Sequence, residues 1–157
     1  MPHLNREVAM TEFTFDPHRF LEAQNAVMTA VHRELAAGKK QTHWMWFIFP
    51  QLAGLGHSSM AQRFALHSLE EAQIYLKHPV LGGRLLDCTE LVLNVSDRSA
   101  HDIFGSPDDM KFHSCMTLFR LATSEDSDFQ RALEKYFQGQ SDHRTLALLK
   151  GEKEDSE

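Results

Sequence analysis

Helix-start and helix-stop residues recur so closely along this chain that they leave little room for a sheet. Asp16-Pro17 pairs an N-cap with a proline at the first helical position, where its missing N–H costs nothing. Phe20, Ala23, Val27, Ala30, Val31 and Leu35 then recur near a 3.6-residue period, and Gly38 is placed to end that helix. Ser68-Leu69-Glu70-Glu71 has the form of a capping box, followed by Leu69, Ala72 and Leu76 on one face until His78-Pro79 stops the run. The next helix starts near Val80 and carries Leu81, Leu85, Leu86, Leu91, Val92 and Val95. Its early Gly82-Gly83 pair is either a weak spot or a place where another backbone comes close. Ser99-Ala100-His101-Asp102 caps a short turn closed by Gly105. Ser106-Pro107-Asp108-Asp109 opens a longer helix through Met110, Cys115, Leu118, Phe119 and Ala122, its acids near the positive end of the dipole. Asp126 or Ser127 caps a helix that Gly139 ends, and Asp142 caps a last one over 145–150. Period-2 alternation over five or more residues is hard to find. The prediction is an all-α, compact single-domain bundle of about six to eight helices.

Length agrees, since 157 residues suit one domain able to close a core without disulfide or metal. The polar or Gly stretch 151–157 reads as a disordered acidic tail and 1–14 as a flexible arm, leaving 15–150 as the helical domain. A net charge of −6 disfavours duplex nucleic acid or an anionic membrane as the main partner. The longest large-apolar run, Trp44 to Phe49, falls far short of the roughly 20 residues of a membrane span. With no secretory pattern at the start, the expected location is cytoplasmic. Cys88 and Cys115 form neither a zinc spacing nor a disulfide framework, and no cofactor is expected.

The segment His43-Trp44-Met45-Trp46-Phe47-Ile48-Phe49-Pro50-Gln51 resists a periodicity argument, because a short apolar run suits a buried strand or a buried helix. A lone strand would leave its backbone groups unpaired, so a short buried helix ending before Pro50 is the better reading. Trp44 reads as core, whereas Trp46, with His43 and Gln51, could edge a cleft and offer an indole to a planar ligand. The helix at Lys111-Phe112-His113-Ser114-Cys115-Met116-Thr117 places Lys111 and Ser114 on one face, and His113 with Thr117 on another. Lys111, Ser114 and Thr117 could therefore line an anion pocket, or the two hydroxyls could simply bond back to the preceding turn. Cys115, mid-helix and away from a base, reads as structural. The closest of the ten histidines, His57 and His67, are ten apart, so no helix face offers two metal ligands and no metal site is expected. Gly54-Leu55-Gly56 before Ser58-Ser59 has half the form of a phosphate loop, but lacks the preceding strand and the following lysine.

These motifs, with Tyr75-Leu76-Lys77-His78-Pro79, Ile103-Phe104-Gly105-Ser106-Pro107 and Asp142-His143-Arg144-Thr145-Leu146, give the chain a family likeness from about Phe15 to Leu149. It resembles a bacterial family of unknown function whose members often carry the label "calpastatin". The resemblance implies a compact, mostly helical domain and no assigned activity. The label does not suit the composition: calpastatin-type inhibitors are long, repetitive and disordered, while this chain is short, unrepeated and 42% apolar. Carried onto this sequence, the family motifs put the residues that exceed the needs of a core at His43, Trp46, Gln51, Lys111, Ser114 and Thr117.

The functional expectation is one cleft between the 43–51 segment and the 107–122 helix, holding a small anionic or nucleotide-like molecule. Lys111 supplies charge, Ser114, Thr117 and Gln51 supply hydrogen bonds, Trp46 a stacking face and His43 a proton-transfer group. A non-catalytic protein-interaction module is the alternative and predicts an exposed apolar patch. An enzyme acting on a nucleotide or ADP-ribose-type substrate is a third, requiring Asp108, Asp109 or Asp142 to point into the cleft.

Overall fold

The computed structural model describes residues 15–151, so the 1–14 arm and all but Gly151 of the 151–157 tail lie outside the described residues. Within them the chain is all-α. It forms α1 (His18–Asn25), α2 (Met28–Ala36), α3 (Met45–Ile48), α4 (Ser59–Arg63) and α5 (Leu69–Lys77), then α6 (Leu81–Leu93), α7 (Ala100–Phe104), α8 (Asp108–Ala122), α9 (Asp128–Phe137) and α10 (His143–Leu149). Ten helices replace the expected six to eight because α3, α4 and α7 are single turns and the first predicted helix is two. The chain leaves the helix at Ala26–Val27, where Val27 takes φ −126°. The physical reason is partnership: α1 packs on α3 while α2 packs on α6, and one straight helix presents a single apolar stripe. No described helix is long and apolar enough to cross a membrane.

The caps explain where most helices start. Asp16 Oδ1 accepts the His18 N–H at 3.0 Å, with Pro17 in the entering turn. Ser127 and Asp142 accept from Gln130 N and Thr145 N, and Ser99 with Asp102 closes a complete capping box. Ser68 accepts from Glu71 N, but Glu71 reaches back to His67 N instead of Ser68 N. Ser106 caps nothing: the first turn of α8 is closed by Gly105 O, which accepts from Asp109 N at 2.8 Å. In α6 the buried face runs Leu81, Leu85, Cys88 and Val92, and Leu86, 100° off that stripe, is exposed contrary to its expected place in the core.

Helix α8 is the axis of the bundle, touching α5, α7, α9 and α10. Phe112, Cys115, Met116, Leu118 and Phe119 are buried on one broad face, and Ser114 and Thr117 are buried on the side that meets α10. The 44–49 segment makes the short buried helix α3, with Phe49 T-stacked on Phe104 and Phe112 at 5.9 and 5.1 Å. After Pro50 the chain runs beside 64–66, where Ala53 N donates to Leu66 O and Leu66 N to Gln51 O. That pairing fixes the height of Gln51 against α8.

Candidate functional site

The site begins with a buried carboxylate on α2. Glu34 accepts from Gln41 N (2.8 Å), Thr42 N (3.1 Å), Thr42 Oγ1 (2.7 Å) and Trp44 Nε1 (2.9 Å). Burial alone would raise its pKa, but these four donors outweigh it and hold the carboxyl at about 2. The arrangement locks residues 39–44 over the end of α2 and seats Trp44 fully in the core.

From that anchor a run of alternating groups crosses to α8. Lys40 Nζ lies 5.1 Å from the Trp44 ring and 2.9 Å from Asp108 Oδ2. The other oxygen of Asp108 lies 3.4 Å from Lys111 Nζ, which stands 5.2 Å from the Trp46 ring. One carboxylate thus serves two lysines, each resting on a tryptophan, and Trp46 with Lys111 forms the half-buried end of the run.

Two cavities open at that end. The larger, about 310 Å³, takes Trp46, Gln51, Gly54, Gln62, Phe64 and His67 among its walls. The smaller, about 220 Å³, is bounded by Gln51, Leu55, Met110, Lys111, Ser114, Asp142 and Arg144. Gln51 and Gly56 belong to both. Gly56 is needed for space, since a Cβ there would stand 2.8 Å from the Ala61 Cβ. The glycines of the 54–56 loop therefore make walls and let α4 pack, and Ser58 Oγ, accepting from Ala61 N, occupies the cap of that one-turn helix.

The family described as "Protein of unknown function (DUF1810)" matches residues 14–149. The chain belongs to that family. It is also similar, at 54% identity and a TM-score of 0.85, to a protein of known crystal structure. That structure is of the conserved hypothetical protein Rv1873 from Mycobacterium tuberculosis, and the match covers 87% of this chain and 98% of that one. A comparison with curated proteins finds no match. Neither description mentions calpastatin.

Of the six residues singled out in this DUF1810 chain, the structure brings Trp46, Gln51, Lys111 and Ser114 to the two cavities. It keeps the other two apart from them. His43 is exposed and lines neither cavity. Thr117 is fully buried, donating to His113 O at 2.9 Å and accepting from Asp142 N at 2.9 Å. Ser114 Oγ lies 3.1 Å from Met110 O and 2.8 Å from Asp142 Oδ2, the same oxygen that Thr145 Oγ1 reaches at 2.6 Å. Both hydroxyls thus serve first to dock α10 on the central helix.

Of the three acids, Asp142 alone lines the smaller cavity, while Asp109 lies 3.5 Å from His101 and Asp108 is held between the lysines. Because Asp142 both caps α10 and ties it to Ser114, Asp142→Ala is expected to cost about 2 kcal/mol, read by urea denaturation. A loss below about 0.5 kcal/mol would show that the network is dispensable. The two cysteines are buried, and that burial pushes Cys88 up to about 12 and Cys115 well above the ordinary thiol range. They are poor nucleophiles.

Asp108 and Asp142 are offered by the sequence only as acids that an enzyme would need in the cleft, and nothing in it marks Lys40 or Arg144 as members of this surface. Arg144 reaches the site by donating from Nη2 to Leu55 O at 2.9 Å, across 89 residues of sequence. Local pattern holds no signal for a contact of that span.

Proposed function

We propose that this protein binds a small anionic, nucleotide-like molecule across the two cavities between the 43–51 segment and α8. A flat ring lies against Trp46 in the larger cavity, and the anionic group is received by Lys111 and Arg144 in the smaller. One observation carries the reading: Lys111 stands over the Trp46 ring where the two cavities share Gln51 and Gly56. A stacking surface and a cation are thereby offered to opposite ends of one ligand, with an amide side chain between them. Convergence of a few polar groups on an apolar concavity is the usual form of a ligand site. The reading gives neither His43 nor Thr117 a contact with ligand.

A thermal-shift screen with nucleotides, sugar phosphates and aromatic acids tests it. A ligand at roughly 100 times its dissociation constant adds about 2.7 kcal/mol, raising the midpoint of a chain this size by about 5–10 °C. The shift is expected to fall to about half in Lys111→Ala, as a tenfold loss of affinity requires, while the unliganded variant keeps its far-UV circular dichroism. A flat screen would turn the interpretation to a protein-interaction module. A shift of full size in Lys111→Ala would place the ligand elsewhere.

A further inference from the structure

Resting on the reading above, we propose that the ligand carries a single anionic group, a phosphate monoester or a carboxylate, on its flat ring system, and that the site selects it over di- and triphosphates. The argument is a balance of charge. Lys111 and Arg144 line the smaller cavity, and Lys40 shares a carboxylate with Lys111; the carboxylates in direct reach of these three are Asp108 and Asp142. Asp108 is divided between the two lysines at 2.9 and 3.4 Å, and Asp142 faces the smaller cavity beside Arg144. Among the described residues Arg144 forms no ion pair, and its one hydrogen bond to Leu55 O leaves further donors of its planar fork available. One positive charge is therefore in excess, a full match for a carboxylate and a partial one for a phosphate monoester, whose charge near pH 7 is about −1.5 to −2.

The walls set the same limit. Around the cations the smaller cavity is walled by Leu55, Pro107 and Met110 with Gln51, Gly56 and Ser114, the last already bonded to Asp142, so no further cation faces a second or third phosphate. Extra negative charge placed against them would lose hydration without gaining a partner. Asp142 adds repulsion, since its position as cap of α10 keeps it in the wall. The larger cavity, at about 310 Å³, stands at the lower end of the range of ordinary ligand pockets, about 300–1,000 Å³. It suits one base or one comparable ring system rather than a dinucleotide.

Isothermal titration calorimetry at fixed ionic strength tests this. The probes are the four common nucleoside monophosphates, their nucleosides and triphosphates, and nicotinate as a flat monocarboxylate. At least one probe with a single anionic group is expected to bind. For a phosphate, the matching nucleoside and triphosphate should each be about tenfold or more weaker. Response to a monophosphate alone identifies the group as phosphate, and response to nicotinate alone as carboxylate. Arg144→Gln, at an exposed position, and Lys111→Gln should each lower affinity about tenfold with the unliganded midpoint little changed. A triphosphate binding as tightly as its monophosphate would overturn the single-anion limit while leaving the site in place. Equal binding of the nucleoside would overturn the anion subsite. Silence from every probe would overturn this inference and the reading on which it rests.

Discussion

Replacing Gly82 by alanine is expected to cost about 3 kcal/mol, at the top of the range for overpacking. A Cβ at that position would stand 1.9 Å from the Leu76 carbonyl oxygen and 2.8 Å from its carbonyl carbon. Both are backbone atoms of the last turn of α5, so no rotamer change relieves the clash. Gly82 N also donates to His78 O at 3.1 Å, which fixes the turn from the other side. Relief requires α5 and α6 to separate, and α5 also packs on the central helix α8. The neighbouring glycine is the control. A Cβ at Gly83 meets nothing within 4 Å, so Gly83→Ala should gain about 0.5–1 kcal/mol by restricting the unfolded chain. Urea denaturation of the two variants reads both signs in one experiment. A Gly82→Ala protein as stable as the parent would mean that the α5–α6 junction yields freely.

The second large effect belongs to Glu34. Glu34→Gln keeps an acceptor oxygen but removes the charge to which four donors point, and a loss of about 2–3 kcal/mol near neutral pH follows. The same carboxylate gives the protein a defined acid sensitivity. In the unfolded chain a glutamate takes up its proton near pH 4.3, whereas folded Glu34 does so only at about 2. Its contribution is therefore fully present above about pH 4.5 and is lost as pH falls toward 2, by at most about 1.4 kcal/mol per pH unit. Denaturation at pH 6, 4 and 3 should show the parent falling toward Glu34→Gln. Parallel curves would remove Glu34 as the source. Because Glu34 holds Thr42 and Trp44, weakening it also loosens the segment that carries Lys40, Trp46 and Gln51, so ligand-induced shifts should shrink in the same variant.

Much of the helical architecture was legible in the sequence because caps act over three or four residues. Ser99, Ser127 and Asp142 start helices through bonds to N–H groups three positions on, so the signal and its effect lie in the same short window. The short buried helix at 45–48 followed from the lack of any strand to pair with it. The break at Val27 was hidden, since an unbroken apolar period covers both α1 and α2. Only the different partners of the two halves, α3 and α6, reveal it. Leu86 failed for a related reason: in a leucine-rich helix the identity of the buried stripe depends on what packs against it.

The candidate site divides along the same line. Trp46, Gln51, Lys111 and Ser114 stood out because each is chemically unlike its neighbours within one segment. Their assembly with Asp108, Lys40, Asp142 and Arg144 depends on contacts spanning tens of residues, from Lys40 to Asp108 and from Leu55 to Arg144. The roles of Ser114 and Thr117 changed once their side of α8 proved buried, because a buried hydroxyl must find a partner, and the docking of α10 supplies one. Composition and capping by themselves determined an all-α domain and where most helices begin. Tertiary structure decided which polar groups are consumed in holding helices together and which are left facing a cavity, because that division depends on burial, and burial is a property of the assembled chain.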